Sequence, residues 1–138
     1  MILFESSIIK LDYNPATDIL DVSYPDLHAY FLAEIKHTIN NMVDVIKNYD
    51  VKKLILDATK TVIAVSDNES REIAVHLAAG LMNTRMQKVA RVQSSSASVE
   101  AVTLNNIRYI RESGILPFQT QSFISKADAI AWITVAGK

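Results

Sequence analysis

Three consecutive large apolar residues, Leu54-Ile55-Leu56, stand between two lysines and an aspartate near the middle of the chain. A strand with one exposed face alternates apolar and polar side chains, whereas a strand covered on both faces is a continuous apolar run. The segment from Lys53 to Asp57 is therefore predicted to be the central strand of a parallel sheet, with helices on both sides. Residues after Asp57 would emerge at the carboxyl edge, where open α/β folds place ligand or partner surfaces.

The residues before this strand predict a hairpin and a long helix. Ser7 to Tyr13 and Leu20 to Tyr24 alternate apolar and polar positions on either side of a turn at Asn14-Pro15, as two antiparallel strands do. From Asp26 to about Asn48, apolar residues recur at the spacing of one helical face. The predicted inward stripe of this helix is Leu27, Phe31, Ile35, Ile39, Met42, Ile46 and Tyr49.

The residues after the central strand alternate between helix and strand. Ser66-Asp67-Asn68-Glu69 matches a capping box, so a helix is predicted to begin there. Its predicted inner stripe is Ile73, Leu77 and Leu81, with Ala74 and Ala78 as small residues that allow a close approach to the sheet. A strand from Lys88 to Gln93 follows.

The last part of the chain predicts a helix, a strand and a short helix. The helix runs from Ser98 to Glu112, with Gly114 as a left-handed cap, and the strand runs from Leu116 to Ile124. The inward residues of this helix are predicted to be Val99, Val102, Leu104, Ile107 and Ile110. Ser125 with Asp128 is a second capping-box match, and the short helix that it starts is predicted to turn Ile130, Ala131 and Ile133 inward.

These elements predict a single α/β domain over residues 1–138. Its mixed five-stranded sheet starts with an antiparallel hairpin and continues with parallel strands joined by helical crossovers, giving four helices. The chain of 138 residues is the size of one domain, and 49% apolar with 21% charged residues excludes a disordered or fibrous protein. The apolar segment from Thr61 to Val65 is predicted to be a loop that covers the core.

Charge and composition exclude several classes of function. A net charge of −1 offers no field that would gather nucleic acid, and the absence of cysteine excludes disulfides and thiolate sites. His28, His37 and His76 lack the spacing of a metal site, and no phosphate-binding glycine loop is present, so no metal or cofactor is expected. Without a secretory leader or an apolar run long enough to be a transmembrane segment, a cytoplasmic location is expected.

Three stretches of the chain carry a resemblance to a known family. They are the hairpin with its long helix, Val51-Lys52-Lys53-Leu54-Ile55-Leu56-Asp57, and the closing Ala127-Asp128-Ala129-Ile130-Ala131-Trp132. Together they resemble the STAS superfamily, and more narrowly its SpoIIAA-like branch of anti-sigma-factor antagonists. In those antagonists a partner kinase phosphorylates a serine at the start of the helix after the central strand. The resemblance therefore implies a phosphosite at Ser66, although Val65-Ser66-Asp67-Asn68 replaces their Asp-Ser-Ser-Gly signature.

Ser66 has two further interpretations. As the first residue of a capping box, its hydroxyl accepts a backbone hydrogen bond and needs no other role. As a nucleophile, with Asp57 as the orienting acid, Ser66 would need a base, and His76 is the histidine that this interpretation assigns. Ten residues of helical rise separate the two by about 15 Å, so they would not hydrogen-bond, and no catalytic residue is predicted.

The carboxyl edge of the sheet is the predicted contact surface. Its candidate residues are Asp57, Thr59, Ser66, Asp67, Asn68, Ser94, Ser95 and Ser96. The expected function is that of a non-catalytic STAS-like domain that binds an unknown protein partner in bacterial signalling. A homodimer is left open, because the hairpin edge, Tyr30 and Met82 are expected to be exposed.

The alternative function is a small carrier of a lipid or another apolar ligand. The apolar loop from Thr61 to Val65 suggests it. A roomy apolar cavity would favour the carrier, whereas a solid core with a flat exposed edge would favour the interaction domain.

Overall fold

The predicted central strand lies inside the sheet of the computed structural model, which describes residues 2–5, 9–23, 32–59, 66–114 and 116–134. Over these residues the sheet has six strands in the order of the chain. They are β1 (Ile2–Glu5), β2 (Lys10–Asn14), β3 (Ile19–Ser23), β4 (Lys53–Asp57), β5 (Lys88–Val92) and β6 (Gln119–Phe123). The helices of the same residues are α1 (Leu32–Asn48), α2 (Asp67–Met82), α3 (Ala97–Ser113) and α4 (Lys126–Ile133).

The pairing of the strands confirms the predicted mixed α/β sheet. Strands β1, β2 and β3 are antiparallel neighbours, whereas β3, β4, β5 and β6 run parallel. The parallel register aligns Leu20 with Leu54 and Leu54 with Val89. Helices α1, α2 and α3 provide the connections between successive parallel strands, because parallel strands cannot be joined by a tight turn.

The predicted number of five strands is wrong, because Ile2–Glu5 adds a sixth strand at the edge beside β2. Ile2 pairs with Asp12 and Phe4 with Leu11, so the register shifts by one residue between these pairs. The segment is four residues long and has no apolar–polar alternation. Its strand conformation therefore depends on pairing with β2 and not on a local pattern.

Helices cover both faces of β4, as predicted. Leu54 and Leu56 belong to a core cluster that includes residues of α1 and α2, whereas Ile55 packs in a second cluster with Ala129 and Ile133 of α4. All three side chains of the apolar run are buried. Because side chains alternate along β4, the strand contributes residues to one core cluster on each face of the sheet.

Helix α1 follows the predicted stripe over the described residues. Ile35, Ile39, Met42 and Ile46 are buried, while the predicted positions Leu27 and Phe31 lie outside the described residues. Tyr49 was predicted to point inward and is 50% exposed. It follows the end of α1, where the chain turns through Asp50 at a positive φ of 52°, so it no longer continues the helical face.

Two details at the carboxyl-terminal end differ from prediction. Gly114 follows α3 with a φ of 174°, which is extended backbone and not a left-handed cap. In α4, Ala129 and Ile133 are buried, whereas Ile130 and Ala131 are exposed. This short helix contacts the sheet through one stripe at i and i+4, which turns Ile130 and Ala131 outward.

Candidate functional site

A cavity of about 490 Å³ lies between helices α2 and α3 and strands β4, β5 and β6. Leu56 and Val89 form its floor on the sheet, and Ile73 and Leu77 of α2 form part of one wall. Ile107 of α3 and neighbouring apolar residues form the opposite wall. The volume lies within the range of about 300–1,000 Å³ that is typical of small-molecule pockets.

The residues of α2 and α3 explain why this space is not filled by side chains. Ala74 and Ala78 were predicted to bring α2 close to the sheet, but they line the cavity, and methyl groups are too short to occupy it. In α3, Leu104 and Ile107 also line the cavity, and Leu104 is 48% exposed although it was predicted to point inward. The apolar residues of these two helices therefore surround the space instead of interlocking.

Two contacts join α2 to α3 beside the cavity, and both involve polar groups. The Asn106 side-chain amide donates a hydrogen bond of 3.1 Å to the Ser70 hydroxyl, and both residues are buried. The Arg71 guanidinium lies 4.5 Å from the centre of the Tyr109 ring. Polar contacts of this kind have directional geometry, so they hold the helices at a defined separation.

A buried ion pair ties α3 to the floor of the cavity. Arg91 of β5 donates from Nη2 to Glu100 Oε2 at 2.6 Å and from Nη1 to Glu100 Oε1 at 2.8 Å. The Ser94 backbone N–H donates to Glu100 Oε2 at 2.8 Å. Burial raises the pKa of Glu100, but the Arg91 and Ser94 hydrogen bonds and the Arg91 charge outweigh burial and hold that pKa below its usual value. Glu100 therefore compensates the charge that Arg91 brings to the cavity wall.

Arg111 lies where the cavity meets a second, more polar cleft of about 440 Å³. Its Nη2 donates to the Thr120 carbonyl at 3.1 Å and to Thr120 Oγ1 at 2.7 Å, which fixes the side chain against the edge strand β6. The cleft continues past Gln119 to Trp132 on the other side of that strand. The two spaces share five lining residues: Arg111, Leu116, Phe118, Thr120 and Gln121.

The cavity wall carries two charged side chains among the described residues, and both are arginines. Among the described residues that line it, the charged ones are Arg91 and Arg111, and none is Asp, Glu, His or Lys. Hydroxyl groups are present at Ser70, Thr103, Thr120 and Ser122, without an Asp, Glu, His or Lys among the described residues of that lining. Across the described ranges, no group of three or more His, Cys, Asp and Glu residues could hold a metal ion.

At the predicted contact edge, Asp57 is engaged in local contacts. Its Oδ1 accepts hydrogen bonds from the Thr59 hydroxyl at 2.6 Å and from the Thr59 N–H at 3.1 Å. Its Oδ2 lies 3.7 Å from Nζ of Lys126, which also pairs with Asp21. Burial raises the pKa of Asp57, but the Thr59 hydrogen bonds and the Lys126 charge outweigh burial and lower that pKa. These contacts close the end of β4 and tie it to α4.

Ser66 is the N-cap of α2, and the predicted capping box is confirmed. The Glu69 N–H donates to the Ser66 hydroxyl at 3.1 Å, and the Ser66 N–H donates to the Glu69 carboxylate at 3.2 Å. Asp67 and Asn68 follow as exposed residues of the first turn. The phosphosite interpretation of Ser66 stays a prediction.

The serine cluster after β5 starts helix α3. Ser96 is its N-cap and accepts a hydrogen bond from the Val99 N–H, while the buried Ser94 hydroxyl accepts one from the Ser96 N–H. Ser95 is exposed. Because Asp57 is in register with Val92, the ends of β4 and β5 and the residues that follow them share one edge.

His76 is separate from the other two residues of the nucleophile interpretation. Its Nε2 lies 2.8 Å from Oδ1 of Asn40 in α1, whereas Ser66 and Asp57 bond to Glu69 and Thr59. Each of the three residues therefore hydrogen-bonds with a residue outside this set.

Sequence reasoning missed the cavity and its polar residues. The apolar loop from Thr61 to Val65, which suggested a ligand carrier, lies outside the described residues. The sequence signal for the cavity is the pair Ala74 and Ala78, which are about one helical turn apart in α2. Their short side chains leave room on the side of α2 that faces α3. That room exists because of how two helices and three strands are placed, which no local pattern specifies.

Comparison with known proteins assigns no family to the chain. It matches no protein-family model, no curated protein and no solved structure. The resemblance to the STAS superfamily accordingly stays a prediction. Within the part of the chain that the structure describes, none of the helices is long and apolar enough to cross a membrane.

Proposed function

We propose that this protein binds a small amphipathic ligand whose apolar part occupies the cavity between α2, α3 and the sheet. The cavity of about 490 Å³ with a mainly apolar wall is the observation that carries the proposal. A roomy apolar cavity is the feature expected of a ligand carrier. Its presence supports the carrier more than an interaction domain with a solid core.

The physical argument concerns the apolar wall. Protein interiors are close-packed, and voids larger than a water molecule are few, because wall atoms without neighbours lose dispersion contacts. Buried residues such as Leu56, Ile73 and Val89 border the cavity. An apolar guest restores those contacts and removes its own surface from water, so both terms favour binding.

Two other interpretations stay predictions with less support. The exposed edge residues Asp67, Asn68 and Ser95 are compatible with a protein partner, but they identify no partner chemistry. That the protein is non-catalytic likewise stays a prediction.

The proposal is tested with a neutral apolar fluorescent probe, N-phenylnaphthylamine, and its displacement by straight-chain alcohols of increasing length. Each buried methylene contributes about 0.8 kcal/mol, so two added methylenes are expected to tighten binding by roughly tenfold until the cavity is full. Affinity that is independent of chain length would contradict binding in an apolar cavity.

A matched pair of variants locates the binding site. Ala74→Leu places a larger side chain into the cavity and is expected to weaken probe binding at least about tenfold. Ala101→Leu makes the same change on an exposed position of α3 and is expected to leave binding unchanged. Equal probe affinity in Ala74→Leu and in the unaltered protein would exclude the cavity as the site.

A further inference from the structure

We infer that the ligand is a long-chain monocarboxylate whose head group binds Arg111 at the junction of the apolar cavity and the polar cleft, an inference that rests on the proposed function.

The distribution of charge around the two spaces indicates a negatively charged head group. Over the described residues, the charged side chains that line the cavity are Arg91 and Arg111, and the one that lines the cleft is Arg111. No Asp or Glu of the described chain lines either space. Arg91 is compensated by the two oxygens of Glu100, at 2.6 and 2.8 Å. The charge without a compensating partner in the lining is therefore that of Arg111.

The geometry of Arg111 suits a carboxylate. Thr120 holds the guanidinium through Nη2, and within the described residues Nη1 and Nε make no hydrogen bond. The N–H groups of Nη1 and Nε diverge, so either nitrogen can donate a charge-assisted hydrogen bond to one carboxylate oxygen while Nη2 stays bound to Thr120. Because the side chain is already oriented by Thr120, less conformational entropy is lost when the carboxylate binds.

The residues around Arg111 indicate where the apolar chain and the head group of the ligand would bind. Leu116 and Phe118 line both spaces beside Arg111 and are apolar, so they provide a path for the chain into the cavity. Gln119 and Gln121 line the cleft and offer neutral amide groups near the solvent-exposed end. A head group in the cleft stays hydrated in part, so binding does not require burial of an unpaired charge.

One arginine selects a single negative charge. A carboxylate is neutralised by one guanidinium, whereas a phosphate monoester keeps additional charge beside an apolar wall. An ammonium head group would meet the positive charge of Arg111 and be disfavoured. These differences make the head group testable with ligands of equal chain length.

The experiment measures displacement of N-phenylnaphthylamine from the unaltered protein by dodecanoate, dodecanol, dodecyl phosphate and dodecylammonium, each below its micelle concentration. Dodecanoate is expected to bind at least about tenfold more tightly than dodecanol, since a hydrogen bond to a charged partner contributes about that factor. Dodecylammonium is expected to bind most weakly. Dodecanol binding reports on the cavity independently of the head group.

A matched pair of arginine variants assigns the effect. Arg111→Gln is expected to weaken dodecanoate about tenfold and to change dodecanol by less than about twofold. Arg108→Gln removes the same charge from an exposed position one turn earlier on α3 and is expected to change neither affinity. Retained dodecanol binding by Arg111→Gln also shows that this variant is folded.

Different results overturn different statements. Equal affinity for dodecanoate and dodecanol, or equal weakening of both by Arg111→Gln, overturns the head-group assignment and leaves the proposed function standing. Tighter binding of dodecyl phosphate or dodecylammonium than of dodecanoate also overturns the monocarboxylate. If neither the probe nor any of the four compounds binds, the proposed function fails together with the inference.

Discussion

Two regions on the same face of the sheet are packed in different ways. Beneath α1 and α2, the void that Ile39 and Met42 line with Leu56 has a volume of about 10 Å³, whereas beneath α2 and α3 a cavity of about 490 Å³ is present. Leu56, Ile73 and Leu77 line both spaces. The same side chains thus form a filled core on one side and a cavity wall on the other. We refer to these regions as the filled half and the cavity half.

The difference comes from the partner helix and not from the amount of apolar sequence. Helix α1 inserts Ile35 and Ile46 completely into the core, and Gly80 of α2 lies against Val43 so closely that a Cβ on the glycine would be 2.8 Å from Val43 Cγ2. Helix α3 is also rich in apolar residues, but its Leu104 and Ile107 line the cavity instead of interlocking with α2. An apolar stripe therefore does not ensure a filled core.

The ion pairs that join neighbouring elements also differ between the filled half and the cavity half. In the filled half, Lys36 and Glu72 join α1 to α2 through an exposed ion pair of 2.7 Å. In the cavity half, Arg91 and Glu100 join β5 to α3 through a pair whose side chains are 9% and 14% exposed. Apolar contact holds the first half together, whereas the second depends more on a buried polar link.

Truncating one isoleucine in each half is expected to give the largest difference. Ile46→Ala removes a side chain that is fully buried in the filled half and should lower the free energy of unfolding by roughly 2–5 kcal/mol. Ile107→Ala removes a cavity-wall side chain with fewer neighbours and should cost less than about 2 kcal/mol. Urea denaturation of both variants measures the difference. Equal losses would mean that the two halves are equally packed.

Removing one carboxylate from each ion pair is expected to rank next. Glu100→Gln leaves Arg91 buried without a charged partner and should destabilise the protein by about 3 kcal/mol. This value is the lower end of the range for broken buried ion pairs, because the glutamine keeps one acceptor oxygen for Arg91. Glu72→Gln breaks the exposed pair and should cost less than about 1 kcal/mol. Thermal and urea unfolding test both variants. A small effect of Glu100→Gln would show that α3 is held by other contacts.

Enlarging the smallest residue of the filled half should have a moderate effect. Gly80→Ala should destabilise by about 1–2 kcal/mol, because overpacking against Val43 outweighs the higher helix propensity of alanine. In a Val43→Ala background the same substitution should become stabilising by up to about 1 kcal/mol. A double-mutant cycle measures this change of sign. If Gly80→Ala is destabilising in both backgrounds, the close approach to Val43 is not its cause.

Enlarging a residue of the cavity half should have the opposite sign. Ala78→Leu adds apolar volume where the cavity has room and should raise the free energy of unfolding by about 0.5–2 kcal/mol, as cavity-filling substitutions commonly do. Urea denaturation without ligand is the measurement. A loss of stability as large as that of Gly80→Ala would show that the cavity does not accept the added side chain.

Acid should weaken the cavity half through Glu100. The pKa of Glu100 is lowered in the folded protein from an ordinary value of 4.5, so its contribution is complete above pH 4.5 and is lost as the pH falls through the folded value. The difference in stability between the unaltered protein and Glu100→Gln should therefore shrink as the pH is lowered below 4.5. Urea titrations at a series of pH values test this. A constant difference would mean that Glu100 does not titrate in that range.

Several features could be predicted because they depend on neighbouring residues. The apolar run from Leu54 to Leu56 identified the central strand, and Ser66 with Glu69 identified the start of α2. Features that depend on distant segments were predicted less well. Strand β1 was missed, and Ala74 and Ala78 were assigned to close packing although they line a cavity. No role was predicted for Arg111, because its place between two spaces depends on its contact with Thr120 of β6.

The sequence by itself determined the α/β class, the central strand and the capped start of α2, because periodicity and capping act between residues a few positions apart. Only the tertiary structure decided that the core is filled beneath α1 and open beneath α3. Whether side chains fill a space depends on the separation and angle of elements from distant parts of the chain, and two stripes of similar composition give different volumes when their helices are placed differently.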